Sequence, residues 1–301
     1  MANSAWSEKV VRLLRRMNNF YLPGSCRDQC FRFEINGAQV GWIPPHVASV
    51  LTRFPEVFAP PHGGAVSLRG GLDSHSSRSE AVDSLLQTLR LEEESPSCLK
   101  GWRDEKYNVM PTFSDPSLMW MERAATSLFG VKRYGVHING YTVGESGEVN
   151  MWLARRSPTK QTFPGVLDNL AAGGLAAGAG IKHTLVKECL EEARIPATIA
   201  EKARPVTTVS YTYEDEDGVF AESQFVFDLE LPLEFQPIVG DGEVQDFYLF
   251  PIEKVKELLA TDDFKPNSAM VVLDFLIRHS FIEPDSEPRY QEFVAGLHQT
   301  L

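Results

Sequence analysis

Three carboxylates, Glu188, Glu191 and Glu192, stand at i, i+3 and i+4, a spacing that gathers side chains on one side of an α-helix. Like charges this close repel unless a cation lies among them, and an oxygen-only donor set suits Mg2+ or Mn2+. A divalent ion held there neutralises a diphosphate and activates water. The same spacing also describes a solvated acidic face paired with Lys187 and Arg194. Leu185, Cys189 and Ala193 take another side of this helix, expected over roughly 182–194, and can anchor it to a sheet. Upstream, Ala171-Ala172-Gly173-Gly174 opens a glycine-rich loop. Gly173 and Gly174 lack a Cβ and so let backbone groups approach a metal or phosphate.

Further residues stand ready to join them. Arg155, Arg156 and Lys160 precede the glycine loop and offer charge-assisted contacts to phosphates, or else form a solvent-facing basic turn. Glu243, in Asp241-Gly242-Glu243, is either an additional ligand or base, or a plain turn carboxylate. Phe225 and Phe227 alternate with Gln224 and Val226 in a strand pattern and read as core. Trp102-Arg103-Asp104-Glu105 is a junction between two units or a segment that closes a substrate cleft.

The elements that must position these groups form two units. The chain has 301 residues, a length that favours two domains, divided here as 1–128 and 129–301. In the first, a basic amphipathic helix over 5–17 precedes strands at 31–35 and 39–42, joined by the turn pair Asn36-Gly37. A short helix follows Pro44-Pro45, and a Gly-, Ser- and Pro-rich stretch over 60–79 is loop with a short strand at 66–68. A helix over 79–93 carries Val82, Leu85, Leu86 and Leu89 on one face. The segment 110–116 is a connector, and a helix is expected over 116–129. In the second unit strands are expected at 137–141, 150–155, 206–213, 220–231 and 247–250, with helices at 252–260 and 269–281. The class is α+β.

Composition narrows the functions. Twenty-nine Lys and Arg against 41 Asp and Glu give a net charge of -12, which argues against nucleic acid as the main partner. No apolar run reaches the roughly 18–20 residues of a membrane span. Cys26-x3-Cys30 has no second Cys/His pair to complete a zinc site. The four cysteines read as reduced thiols of a reducing compartment. The expected location is therefore cytoplasmic, while Arg12, Arg15 and Arg16 among apolar residues also permit a mitochondrial presequence.

The spacing from Gly173 to Ile195 resembles the box of the Nudix hydrolases, Gly-x5-Glu-x7-Arg-Glu-U-x-Glu-Glu-x-Gly-U, where U is bulky and aliphatic. Glu188, Glu191 and Glu192 fall on its carboxylates, while Ala179, Lys187, Cys189 and Arg194 replace its early Glu, Arg, first U and late Gly. Lysine keeps the charge of arginine without its planar fork. Arg194 costs about 1 kcal/mol if it adopts the left-handed conformation that glycine takes at a helix end. Likeness extends to His137–Tyr141, Met151–Lys160, Phe163–Asn169, Asp241–Val244 and Leu99–Tyr107. It points to the branch that contains plant Nudix hydrolases and the Nudix half of a fungal thiamine pyrophosphokinase fusion.

The resemblance implies an α-β-α Nudix sandwich with a mixed sheet, preceded by a smaller α+β domain of unassigned function. It implies a metal-dependent diphosphatase in which Glu188, Glu191 and Glu192 bind Mg2+ or Mn2+, and Glu192 or Glu188 accepts a proton from water. Glu243 resembles a position that often adds a ligand or base. The expected substrate is a small-molecule diphosphate, either thiamine diphosphate or its oxidised or damaged analogues, with a nucleoside diphosphate derivative as the alternative. A non-hydrolytic diphosphate-binding regulatory module is the reading from another functional class.

Overall fold

The computed structural model describes residues 4–301. Helix α1 (Ser4–Met17) leads to the hairpin of β1 (Phe31–Ile35) and β2 (Ala38–Ile43). Its turn residues Asn36 and Gly37 both have positive φ, 53° and 77°, the backbone that a two-residue hairpin favours and Asn-Gly adopts readily. Helix α2 (Pro45–Leu51) and strand β3 (Ala65–Ser67) follow, with β3 parallel to β1 in a sheet ordered β2-β1-β3. Helix α3 (His75–Arg90) then covers a second hairpin, β4 (Lys106–Val109) and β5 (Met119–Glu122). Phe33, Ile35, Val82, Leu86, Met119, Met121 and Phe129 share one core.

From residue 132 the chain builds a seven-stranded mixed sheet. Strands β6 (Lys132–Val143), β7 (Val149–Arg156), β8 (Leu167–Asp168) and β9 (Ala171–Gly174) are followed by helices α4 (Ile181–Ala193) and α5 (Ala197–Ala200). Strands β10 (Arg204–Asp215), β11 (Gly218–Glu230) and β12 (Val244–Pro251), then helices α6 (Ile252–Leu258), α7 (Pro266–Arg278) and α8 (Tyr290–Leu297), complete it. The order is β10-β11-β6-β7-β12, with β8 beside β7 and β9 beside β6; β11 runs parallel to β6. One face packs Val136, Ile138 and Leu229 against Leu185, Cys189 and Ala193 of α4. The other packs Met151, Leu153 and Val209 against Met270 and Phe275 of α7. This is the helix–sheet–helix sandwich that the resemblance implies. No helix among the described residues is long and apolar enough to cross a membrane.

Three expectations need correction. Residues 116–129 are not a helix but strand β5 followed by a short 3-10 turn at Arg123–Ala125. Met119 and Met121, both fully buried, flank the half-buried Trp120, so the burial period is two rather than 3.6. The partner that makes this a strand is β4, which the apolar pattern did not reveal. The basic N-terminal helix belongs by packing to the second unit: Val10, Val11, Leu14 and Met17 join the core of α7 and α8. Finally, Ala171–Gly174 is not loop but strand β9, paired with β6 from Ile138↔Ala171 to Gly135↔Gly174.

Candidate functional site

Helix α4 delivers the three carboxylates because its apolar side is seated on the sheet, with Leu185 2% exposed and Cys189 and Ala193 fully buried. That seating turns Glu192 inward: it is buried, and its Oε2 accepts the Ala172 N–H of β9 at 3.0 Å. Glu188, one turn earlier, lies over Gly173. A Cβ there would stand 2.3 Å from the Glu188 carboxyl carbon, so only glycine leaves room for the carboxylate. Glu191 points away, half-exposed, in an ion pair with Lys187 at 2.9 Å. Lys187 also reaches Glu188 at 3.2 Å. Among the described residues no three His, Cys, Asp or Glu side chains converge as a ready metal cage.

The electrostatics of the pair are unusual for buried groups. Burial pushes the Glu192 carboxyl well above the carboxylate range, and Glu188 and Asp168 add repulsion against one backbone N–H. Glu188 is raised as well, by burial first, with Lys187 opposing it. Buried carboxylates normally acquire compensating partners. Two oxygen donors with this deficit, packed against a glycine, fit a divalent cation.

The helix end is held by backbone. Arg194 takes the left-handed conformation, φ 53° and ψ 30°, which the sequence assigned to a missing glycine. Its N–H bonds Leu190 O at 3.2 Å and the Ile195 N–H bonds Cys189 O at 3.0 Å. The loop before β12 supplies Ile238 and Gly240 N–H groups to the Ala193 and Glu192 carbonyls, each at 3.1 Å. This docks the acidic loop beside α4 and brings in Glu243. Its carboxylate pairs with Lys160 Nζ at 2.5 Å, and this contact with the surrounding cations holds its pKa low despite burial.

Arg156 and Arg155 part company because successive strand residues face opposite sides. Arg156 shares the α4 face with Trp152 and donates to Asp168 at 2.8 Å and to the Phe163 and Thr162 carbonyls. Arg155 lies on the α7 face, over Tyr248, paired with Asp263 at 2.5 Å. The structure therefore gathers Glu188, Glu192, Gly173, Glu243, Lys160 and Arg156, with Glu191 at the edge and Arg155 apart. Gly174 faces the N-terminal unit, where a Cβ would stand 1.7 Å from the Tyr107 hydroxyl.

Two groups of neighbours escaped the sequence. Asp168 anchors Arg156, Lys265 at 3.1 Å and Ser268, inside the segment Phe163–Asn169 that the sequence marks only by likeness. The N-terminal hairpin supplies Tyr107 and Arg123, the latter paired with Glu105 at 2.8 Å. Arg123 was obscured by the helix expected over 116–129, whereas Tyr107 ended a segment already singled out.

Comparison with known proteins agrees with this geometry. Residues 133–271 match the family described as NUDIX domain, and residues 9–133 match a domain of unknown function, DUF4743. Nudix hydrolase 24, chloroplastic, of Arabidopsis thaliana is 39% identical over 267 residues, covering 88% of this chain and 72% of the relative. Nudix hydrolase 20, chloroplastic, of the same plant is 39% identical over 263 residues, covering 84% and 69%. An uncharacterized protein of Saccharomyces cerevisiae is 39% identical over 247 residues, covering 78% and 71%. Likeness of this extent runs through both units, and the chain belongs to the Nudix hydrolase family.

Proposed function

We propose that this hydrolase is a Mg2+- or Mn2+-dependent diphosphatase of a small organic diphosphate. Thiamine diphosphate or its oxidised or damaged analogues are the substrates we favour, and a nucleoside diphosphate derivative is the alternative. The observation that carries the reading is the pair Glu192, buried, and Glu188, half-buried over Gly173, with Lys187 on Glu188 as their one ion-pair partner among the described residues. Glu188, Glu191 and Glu192 would hold the cation, which supplies charge neutralisation of the diphosphate and a more electrophilic phosphorus. Lys187 must then give up its hold on Glu188 and Glu191, which its exposed, flexible stem allows.

The remaining roles fall to protein groups. Glu192 or Glu188 takes the proton of the attacking water as general base. The new bond joins water oxygen to phosphorus, the bridging P–O bond breaks, and a monophosphate and phosphate leave. Arg156 and Lys160 orient the phosphates, held in place by Asp168 and Glu243. Gly173 keeps the backbone close to the reacting group, whereas Gly174 leaves room for the Tyr107 hydroxyl. Arg155, occupied by Asp263 on the other face, keeps only a structural part in this scheme. The domain division we favour remains 1–128 and 129–301, with α1 strapped across it.

A second reading, a diphosphate-binding module without turnover, is favoured by the Lys187 bridge over two of the three carboxylates. Phosphate release with and without divalent cation decides between them. Purified protein should release phosphate only with Mg2+ or Mn2+, and Glu191→Gln and Glu192→Gln should each lower kcat by about 100-fold or more. Unchanged turnover in both variants overturns the diphosphatase, and ligand binding without turnover in the parent selects the module.

A further inference from the structure

The N-terminal domain has no assigned task, yet one of its segments touches two elements that flank the site. At one end, Gly101 faces the loop between β7 and β8, with Gln161 Oε1 3.5 Å from where its Cβ would be. That loop also carries Lys160. At the other end the Tyr107 hydroxyl presses on Gly174, and the Ala177 N–H donates to the Lys106 carbonyl at 2.7 Å. Residues 101–107 thus stretch from the Lys160 loop to the glycine strand.

The backbone in the middle of this stretch is pinned. Asp104 has φ 56°, and the Trp102 indole N–H donates to its Oδ1 at 2.8 Å. Glu122 Oε1 accepts the N–H groups of Arg103 at 2.9 Å and Ala124 at 3.1 Å. The Arg103 guanidinium, by contrast, has no hydrogen bond or ion pair among the described residues. Four other cations around the site are committed to carboxylates: Arg123 to Glu105, Arg156 to Asp168, Lys160 to Glu243 and Lys187 to Glu191. Arg103 also sits in the repulsive field of Arg123 and the attractive field of Glu243. A fixed backbone, a free planar fork and a like-charged neighbour together describe a group that gains most when an anion arrives.

We propose that residues 101–107 form one wall of the diphosphate cleft and that Arg103 contacts a substrate phosphate, so that the N-terminal domain completes the active site. The inference rests on the diphosphatase reading for its ligand class. The guanidinium offers two parallel N–H groups to two phosphate oxygens, a geometry lysine does not reproduce.

The test uses the full chain with Arg103→Ala and Arg103→Lys, and reads both steady-state kinetics and calorimetric binding of inorganic pyrophosphate with Mg2+. Arg103→Ala should raise KM, and the Kd for pyrophosphate, by about 10-fold or more, the loss of one charge-assisted contact. Its kcat should stay within about 3-fold and its Tm should not move, since the side chain holds nothing in the fold. Arg103→Lys should recover part of the binding, which a purely structural role would not give. Unchanged KM and Kd in Arg103→Ala overturns the proposal, as does a parent protein that fails to bind pyrophosphate at all. Arg103-dependent pyrophosphate binding without hydrolysis of any diphosphate keeps the proposal and overturns the diphosphatase reading instead.

Discussion

Glu192 and Asp168 are two neighbouring carboxylates, hidden to the same degree at 8% and 6% exposure, yet the fold pushes them in opposite directions. Asp168 receives Lys265, Arg156, Ser268 and the Asn169 N–H, and these cations hold its carboxyl far below the usual range despite burial. Glu192 receives the Ala172 N–H and faces Glu188, so burial pushes it up. Burial alone therefore does not say what a carboxylate is for; the charge around it does. A satisfied carboxylate holds the fold together, whereas one left in deficit is a cost to the fold that a ligand can offset.

Removing each charge is the strongest way to break this comparison. Asp168→Asn leaves Lys265 and Arg156 buried without their counter-charge and should destabilise by roughly 3–5 kcal/mol. Glu192→Gln keeps an acceptor for the Ala172 N–H and removes an uncompensated charge, so in metal-free buffer its Tm should equal or exceed that of the parent. Thermal unfolding of both variants in EDTA is the measurement. Similar losses of Tm in the two would show that the carboxylates play the same structural part.

The contrast also marks what could be read from residues alone. The carboxylates, their glycine and the anchoring residues Leu185, Cys189 and Ala193 lie within one strand–loop–helix segment, so local spacing was enough to find them. That spacing did not show that Glu192 turns inward while Glu191 turns out, because this depends on how α4 is rolled against β9. The strand at Met119–Glu122 was read as helix since its partner, Lys106–Val109, is separated in sequence and an apolar run does not name its partner. The N-terminal helix had a legible apolar face, but an amphipathic face does not say which core it joins. Asp168 stands in the sequence only as part of a likeness, and Trp102–Glu105 reads equally as a junction or a cleft wall, for the same reason: their meaning comes from neighbours brought in from elsewhere in the chain.

His137 sits between the two regions and sharpens the comparison through pH. It pairs in register with Ala172, the residue that contacts Glu192, and its Nδ1 lies 2.7 Å from Asn169 Oδ1, next to Asp168. Burial, then the charge of Lys265, pushes its pKa down to about 4. A folded-state pKa below the unfolded value near 6.5 means that the unfolded chain binds the extra proton first. Stability is therefore full above about pH 6.5 and falls as pH drops toward 4, by about 1.4 kcal/mol per unit and about 3 kcal/mol in total. His137→Gln should flatten that limb of the stability curve measured by urea unfolding. An unflattened curve would mean that His137 accepts its proton in the folded state, with the acidic side of the sheet dominating its field instead of Lys265.

The smallest effect is expected at the end of α4. Arg194 adopts the left-handed conformation with only a 3.2 Å contact from its Nη2 to the Gly240 carbonyl in return. Glycine takes this conformation without a Cβ penalty, so Arg194→Gly should stabilise by about 1 kcal/mol or somewhat less. The loop at 238–240 is tied to the helix by N–H groups donated to the Ala193 and Glu192 carbonyls, not by the arginine side chain alone. It also passes so close that a Cβ on Gly240 would stand 1.7 Å from the Glu191 carbonyl oxygen. If those backbone bonds set the position of α4, turnover in Arg194→Gly should match the parent while Tm rises by a few degrees. A fall in kcat with raised stability would instead make the arginine part of what aims Glu191 and Glu192. The unbalanced charge of the site would then depend on a side chain that the family pattern replaces with glycine.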